Sequence, residues 1–111
     1  MHELSIAEEL LEIIETRAQG AGIGRVERIT LRIGEYSGIM PEALEFAFSV
    51  LSSGRITEGA EIEIQMIAPE YVCRQCGRTE SNPQEGCSGC GSSDLTLQRG
   101  SELSIVSFEG E

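Results

Sequence analysis

The 111 residues read as a small two-layer α+β domain, two helices on a three-stranded sheet, interrupted by a four-cysteine insertion. Three observations predict this. Two stretches carry apolar residues at helical spacing, and three others carry them at strand spacing. Between the second and third strand patterns apolar residues nearly vanish, and all four cysteines of the chain fall there. At 12.0 kDa the chain is too short for two full cores, so such an insertion needs another source of order.

The first helix is expected over residues 4–19. Leu4, Ala7, Leu11, Ile14 and Ala18 form its apolar stripe, and Leu10 and Ile13 widen it. Glu8, Glu9, Glu12 and Glu15 fill the outer face. Ser5 and Glu8 have capping-box spacing, which would start the first turn near residue 5. Gly20, Gly22 and Gly24 stop the helix. Ile29, Leu31 and Ile33 then alternate with Arg28, Thr30 and Arg32, giving a half-buried strand. Val26 is out of phase, so the start of that strand is expected to be bulged. Pro41 suits a first helical position. Leu44, Ala47, Phe48 and Leu51 make a second apolar helical face that Gly54 closes. Ile62, Ile64 and Met66 make the second strand, with Glu61 and Glu63 as its solvated face. Leu103, Ile105 and Ser107 make the third, with Val106 and Phe108 assigned to its opposite face.

The division that follows is residues 1–68 plus 97–111 for the α/β part and 69–96 for the insertion. The ends of the insertion must then lie close together, like the ends of a hairpin.

Charge narrows the function. There are 19 acids against 8 bases, a net charge of −11, and every base is Arg. A surface of that sign repels phosphate backbones and anionic lipid, so neither nucleic acid nor membrane is an expected partner. No apolar run is long enough to span a bilayer. The start is acidic and lacks the basic segment of a secretory signal, so the expected compartment is the cytoplasm. Catalysis finds little support. His2 is the only histidine, lysine is absent, and no phosphate-binding G-x-x-x-x-G-K-[ST] loop exists.

The insertion is the strongest motif. Cys73-Arg74-Gln75-Cys76-Gly77 and Cys87-Ser88-Gly89-Cys90-Gly91 are two C-x-x-C knuckles. Two thiolates three positions apart in a tight turn reach one ion. The glycine after the second cysteine allows the left-handed bend that aims backbone N–H groups at the sulfurs. Four thiolates form the closed shell of a structural Zn(II) ribbon, with no open position for catalysis. Iron in a rubredoxin-like site, two disulfides and free thiols are the alternatives. A third function class, a zinc-ribbon interaction or regulatory module, would make His2 irrelevant.

His2 follows Met1, and aminopeptidase trimming needs a small second residue, so Met1 is expected to stay with a free α-amine. That amine, the His2 amide and the His2 imidazole Nδ1 close a five- and a six-membered chelate in one plane. Planar nitrogen sets suit Ni(II) or Cu(II). Glu3, through its amide or carboxylate, is a candidate for the fourth position.

Taken in order, Met1-His2-Glu3-Leu4-Ser5, Arg32-Ile33-Gly34-Glu35 with Ser37-Gly38, Pro41-Glu42-Ala43-Leu44 with Phe46-Ala47-Phe48, Glu58-Gly59-Ala60 and the two knuckles resemble the HypA/HybF family of hydrogenase maturation nickel chaperones along essentially the whole chain. The resemblance implies Ni(II) carried at His2, with Met1 and Glu3 as backbone contributors. It implies Zn(II) on Cys73, Cys76, Cys87 and Cys90. It also implies the GTPase HypB and the NiFe-hydrogenase large subunit as partners. Members with a histidine in or beside the ribbon have a group that this chain lacks. The exposed acids Glu8, Glu9 and Glu12 are a candidate contact surface for the GTPase.

Overall fold

A computed structural model describes residues 2–111. Helix α1 runs Glu3–Gly20, β1 Val26–Gly34, α2 Pro41–Leu51 and β2 Glu61–Ile67. Three short strands follow, β3 Glu70–Cys73, β4 Thr79–Glu80 and β5 Leu95–Arg99, and the last strand is β6 Leu103–Gly110. They form two three-stranded sheets, ordered β2-β1-β6 and β4-β3-β5.

In the first sheet β1 is central, parallel to β2 and antiparallel to β6. A parallel pair needs a crossover, and α2 supplies it. Both helices close a single apolar cluster with β1. Ala7, Leu10, Leu11, Ile14 and Ala18 come from α1; Leu44, Ala47 and Phe48 from α2; Val26, Ile29, Leu31 and Ile33 from β1. Arg55, just beyond α2, ties the helices together on the outside. Its guanidinium donates to both Glu15 carboxylate oxygens at 2.8 Å and to Glu8 Oε2 at 2.8 Å. Glu8 and Glu15 are therefore paired, and not the plain solvated face that the charge pattern suggests.

Several expectations need correction. The helix begins at Glu3 with His2 as N-cap, and no side-chain cap forms, so the Ser5–Glu8 capping box is absent. The Ser5 hydroxyl instead donates to the His2 carbonyl at 3.1 Å. Leu4 and Ile13 are 56% and 43% exposed, off the edges of the buried stripe. Met66, 45% exposed, lies with Pro69, Glu70 and Arg99 at a cleft between the sheets. Phe108 belongs to the core-facing side of β6, not the opposite face. Thr30 pairs with Ser107 but Leu31 with Ile105, so Val106 is an extra residue that reverses the alternation. The bulge expected at the start of β1 is present, with Glu27 unpaired between Val26 and Arg28.

The second sheet is the larger departure. Residues 70–99 contain three short strands where none is expected, and only β5, through Leu95 and Leu97, carries an apolar alternation. β5 crosses position 97, where Leu97 faces Tyr71 of β3. The close approach of the insertion's ends is met by Glu70 pairing with Arg99. The radius of gyration is 17.8 Å, and the extents are 55 × 28 × 17 Å. A compact chain of this length would have a radius near 13 Å, so the two sheets form two lobes. They meet where three backbones cross. Gly34 N–H donates to Glu102 O at 2.7 Å, Tyr36 N–H to Gly100 O at 2.7 Å and Glu35 N–H to Ile67 O at 2.9 Å. A Cβ on Gly34 would stand 2.1 Å from the Gly100 carbonyl, so only glycine fits there. No helix is long and apolar enough to cross a membrane among the described residues.

Candidate functional site

The four cysteines converge as the spacing predicts. Their Sγ atoms all lie within 4.8 Å of one another, with Cys73–Cys90 at 3.6 Å and Cys76–Cys87 at 3.5 Å. Four sulfurs at 2.3 Å from one tetrahedral centre would be about 3.8 Å apart, so the donor set fits a single ion. Among the described residues no other cluster of three or more His, Cys, Asp or Glu donors forms.

The knuckles repeat one backbone pattern. Cys73 N–H donates to Arg78 O and Cys87 N–H to Ser92 O, both at 2.8 Å. Gly77 N–H donates to Cys73 O and Gly91 N–H to Cys87 O, again both at 2.8 Å. Each turn closes because Gly77 and Gly91 adopt φ of 79°. The first cysteine of each knuckle, Cys73 and Cys87, is buried, while Cys76 and Cys90 are exposed.

The sulfurs share protons unevenly. The Cys76 backbone N–H, above all, lowers Cys73 to about 7, against the opposing effect of burial. At Cys90 the Ser92 N–H favours the thiolate. The crowding sulfurs of Cys73, Cys87 and Cys76, together with burial, outweigh it and push the thiol up to about 12. The set thus favours some thiolate while resisting four bare negative charges, which is the condition a cation relieves.

Sequence reasoning missed the carboxylate that joins the knuckles. Glu80 on β4 accepts from Ser88 Oγ at 2.7 Å, Ser88 N at 3.2 Å and Arg78 Nε at 3.1 Å. The Ser88 hydroxyl and then its N–H hold Glu80 below the ordinary carboxylate range. Nothing in the local pattern marks Glu80, because its partner is eight positions away.

The other predicted residues lie at the start of α1. Met1 falls outside the described residues. His2 is exposed at the N-cap, and its carbonyl accepts from Ile6 N at 2.9 Å and Ser5 Oγ at 3.1 Å. Its own N–H precedes the helical ladder, so no intrahelical bond uses it. The Glu3 carboxylate accepts from Met40 N, the N-cap of α2, at 3.1 Å, and that bond is the main reason its acid is strengthened. The cysteine cluster and His2 thus sit on different elements, and the structure brings His2 and Glu3 together but no cysteine with them.

The family model described as hydrogenase/urease nickel incorporation, metallochaperone, HypA, matches residues 1–110. A hydrogenase maturation factor HypA of Nostoc sp. is 42% identical over 112 residues, spanning 100% of this chain and 96% of that one. Another, from Acidithiobacillus ferrooxidans, is 38% identical over 113 residues and spans 100% of both. A solution structure of HypA protein superposes with TM-score 0.83 at 24% identity, covering 100% of this chain and 97% of the other. The solution structure of the Ni metallochaperone HypA from Helicobacter pylori gives TM-score 0.73 at 24% identity, covering 99% and 97%. At that identity the two structures establish a shared fold.

Proposed function

This chain belongs to the HypA family of nickel-incorporation metallochaperones acting in hydrogenase maturation, and we propose that its Ni(II) cargo binds at the N-terminus while a Zn(II) ion holds the cysteine lobe. The nickel donors are the Met1 α-amine, the His2 amide and imidazole Nδ1, with the fourth position filled by the Glu3 amide or carboxylate or by a group of the recipient. The observation that carries this reading is the place of His2. The sole imidazole of the chain is exposed at a helix N-cap, where the residue's own amide supports no helical bond. A nickel ion can take that amide nitrogen, once deprotonated, without unwinding α1. Deprotonation makes the binding strengthen as pH rises.

Cys73, Cys76, Cys87 and Cys90 would hold Zn(II), which supplies cohesion to residues 69–96 and no chemistry. We take residues 1–68 with 97–111 as the nickel-binding part and 69–96 as the zinc-binding part, with β5 running on to Arg99. The protein is read as a cytoplasmic carrier without catalytic activity, handing nickel to the NiFe-hydrogenase large subunit together with the GTPase HypB. With Glu8 engaged by Arg55, the acids left to attract such a partner on α1 are Glu9 and Glu12.

Nickel titration of the untagged chain against His2→Ala, with zinc measured on both, tests the reading. It predicts that His2→Ala abolishes tight nickel binding and keeps one zinc per chain. Equal nickel affinity for the two proteins would overturn it, and a red iron-loaded protein would replace the zinc assignment with an electron-transfer site.

A further inference from the structure

We infer that the Glu3 carboxylate is a positioning group, not a nickel ligand: it fastens the nickel-binding terminus to the start of α2 through Met40. The inference rests on the terminal nickel site proposed above. Glu3 is the first residue of α1, and its Oε2 accepts from Met40 N at 3.1 Å, across 37 positions of sequence. Met40 is the N-cap of α2, so its N–H lies at the positive end of that helix, where a carboxylate is favoured. The bond is thus a charge-assisted link between two helix starts.

Its consequence falls on His2. A terminal residue ordinarily frays, and a metal then has to order it. Here the His2 carbonyl is held from inside α1 by Ile6 N and Ser5 Oγ. The next residue is held from outside by Met40. Together these fix the His2 backbone near φ −101° and ψ −6° before any metal arrives. Ordering the chelating amide in advance strengthens binding without adding a donor. A carboxylate serving as nickel ligand would instead put Glu3 in the donor set, which the absorption spectrum of Glu3→Gln reads.

The two roles predict different responses to Met40→Pro: a loss of affinity for a positioning group, none for a ligand. Proline removes the N–H donor and leaves Glu3, His2 and Met1 untouched. The Met40 backbone, at φ −89° and ψ 115°, is close to what proline adopts, and its carbonyl still accepts from Leu44 N at 3.0 Å. We expect Met40→Pro to weaken Ni(II) binding about tenfold, the weight of one charge-assisted hydrogen bond. The nickel d–d absorption should keep its wavelength, since the donors are the same, and zinc content should not change. Glu3→Gln should fall between wild type and Met40→Pro, because its side-chain oxygen accepts the same bond without the charge. Glu3→Ala should fall with Met40→Pro, and the double variant should bind no worse than either. Calorimetry with Ni(II), paired with absorption spectra, reads all four. Undiminished affinity in Met40→Pro, or a shifted d–d band in Glu3→Gln, would overturn the positioning role. His2→Ala runs alongside: unchanged affinity there would overturn the terminal site itself, and this role with it.

Discussion

In the helix-covered sheet twelve apolar side chains close one cluster, whereas between Glu70 and Arg99 the only buried side chains are Cys73 and Cys87. The first lobe is stabilised by removing apolar area from water, which is spread over many residues, so that no single one decides whether it folds. The second has no such reserve. Its order comes from paired backbone groups in two knuckles, the Glu80 link and whatever joins four sulfurs. The contrast separates what a metal would do at each of the two proposed places. A metal at the cysteines is part of the fold, while a metal at His2 arrives at a structure already complete.

The largest effect should come from the cysteines. Cys76→Ala opens the shell, and structural zinc binding is worth about 10–16 kcal/mol in finger peptides. We expect zinc to be lost and residues 70–99 to lose NMR dispersion while signals of the twelve core residues persist. Retention of one zinc per chain, or an unaltered spectrum for that segment, would break the contrast.

The reverse variant is Leu11→Ala, at a side chain with 0% exposure. A truncated buried leucine costs about 2–5 kcal/mol. Thermal unfolding of the first lobe should shift down sharply, with zinc stoichiometry unchanged. A concerted loss of zinc would mean that the lobes fold as one unit.

Gly34→Ala sharpens the comparison at the junction. The new Cβ meets the Gly100 backbone at 2.1 Å, so the crossing strands must part. Forced insertion of one methyl group costs about 1–3 kcal/mol. Relaxation measurements should show the lobes reorienting more independently than in wild type, each retaining its own structure. Identical reorientation would show that the crossing does not set their relative placement.

Arg55→Ala should have the smallest effect, about 1 kcal/mol, because a partly exposed ion pair is screened by water. Its sign is testable by pH. The Arg55 hydrogen bonds, above all, lower the Glu15 acid from 4.5. A carboxyl lowered on folding contributes stability above its unfolded value and loses it as pH falls through the folded one. Wild type should therefore exceed Arg55→Ala in stability at pH 7, and the gap should narrow below pH 4.5. A gap that holds in acid would mean the Arg55 stem, not its charge, matters.

The sequence announced these lobes through different signals. Period and alternation made α1, α2 and the three main strands readable, because one face of each is buried in a shared core. The same rule failed at Phe108, since an extra residue at Val106 reverses the alternation and only pairing with β1 reveals it. It failed at Leu4 and Ile13, where helical spacing sets a stripe but not its width. In the second lobe the cysteines and their glycines were legible from spacing alone. Strands β3, β4 and β5 were not, because they are short and, Cys73 apart, bury no side chain fully; even β5 offers only Leu95 and Leu97 as an alternation. Arg55, Glu80 and Met40 were missed for a common reason: each acts on a partner that only the fold brings near.

The most direct test of the central claim separates the two metals by tagging the two ends. A non-cleaved N-terminal extension turns the α-amine into a neutral amide, removing the proposed nickel donor while leaving every sulfur in place. A C-terminal tag without histidine removes neither. Calorimetry with Ni(II) on the two tagged proteins, with zinc quantified on each, should give strongly weakened nickel binding for the N-terminal form alone and one zinc per chain in both. Equal nickel affinity in the two forms would contradict a terminal, amine-anchored cargo site, even if His2 proved essential.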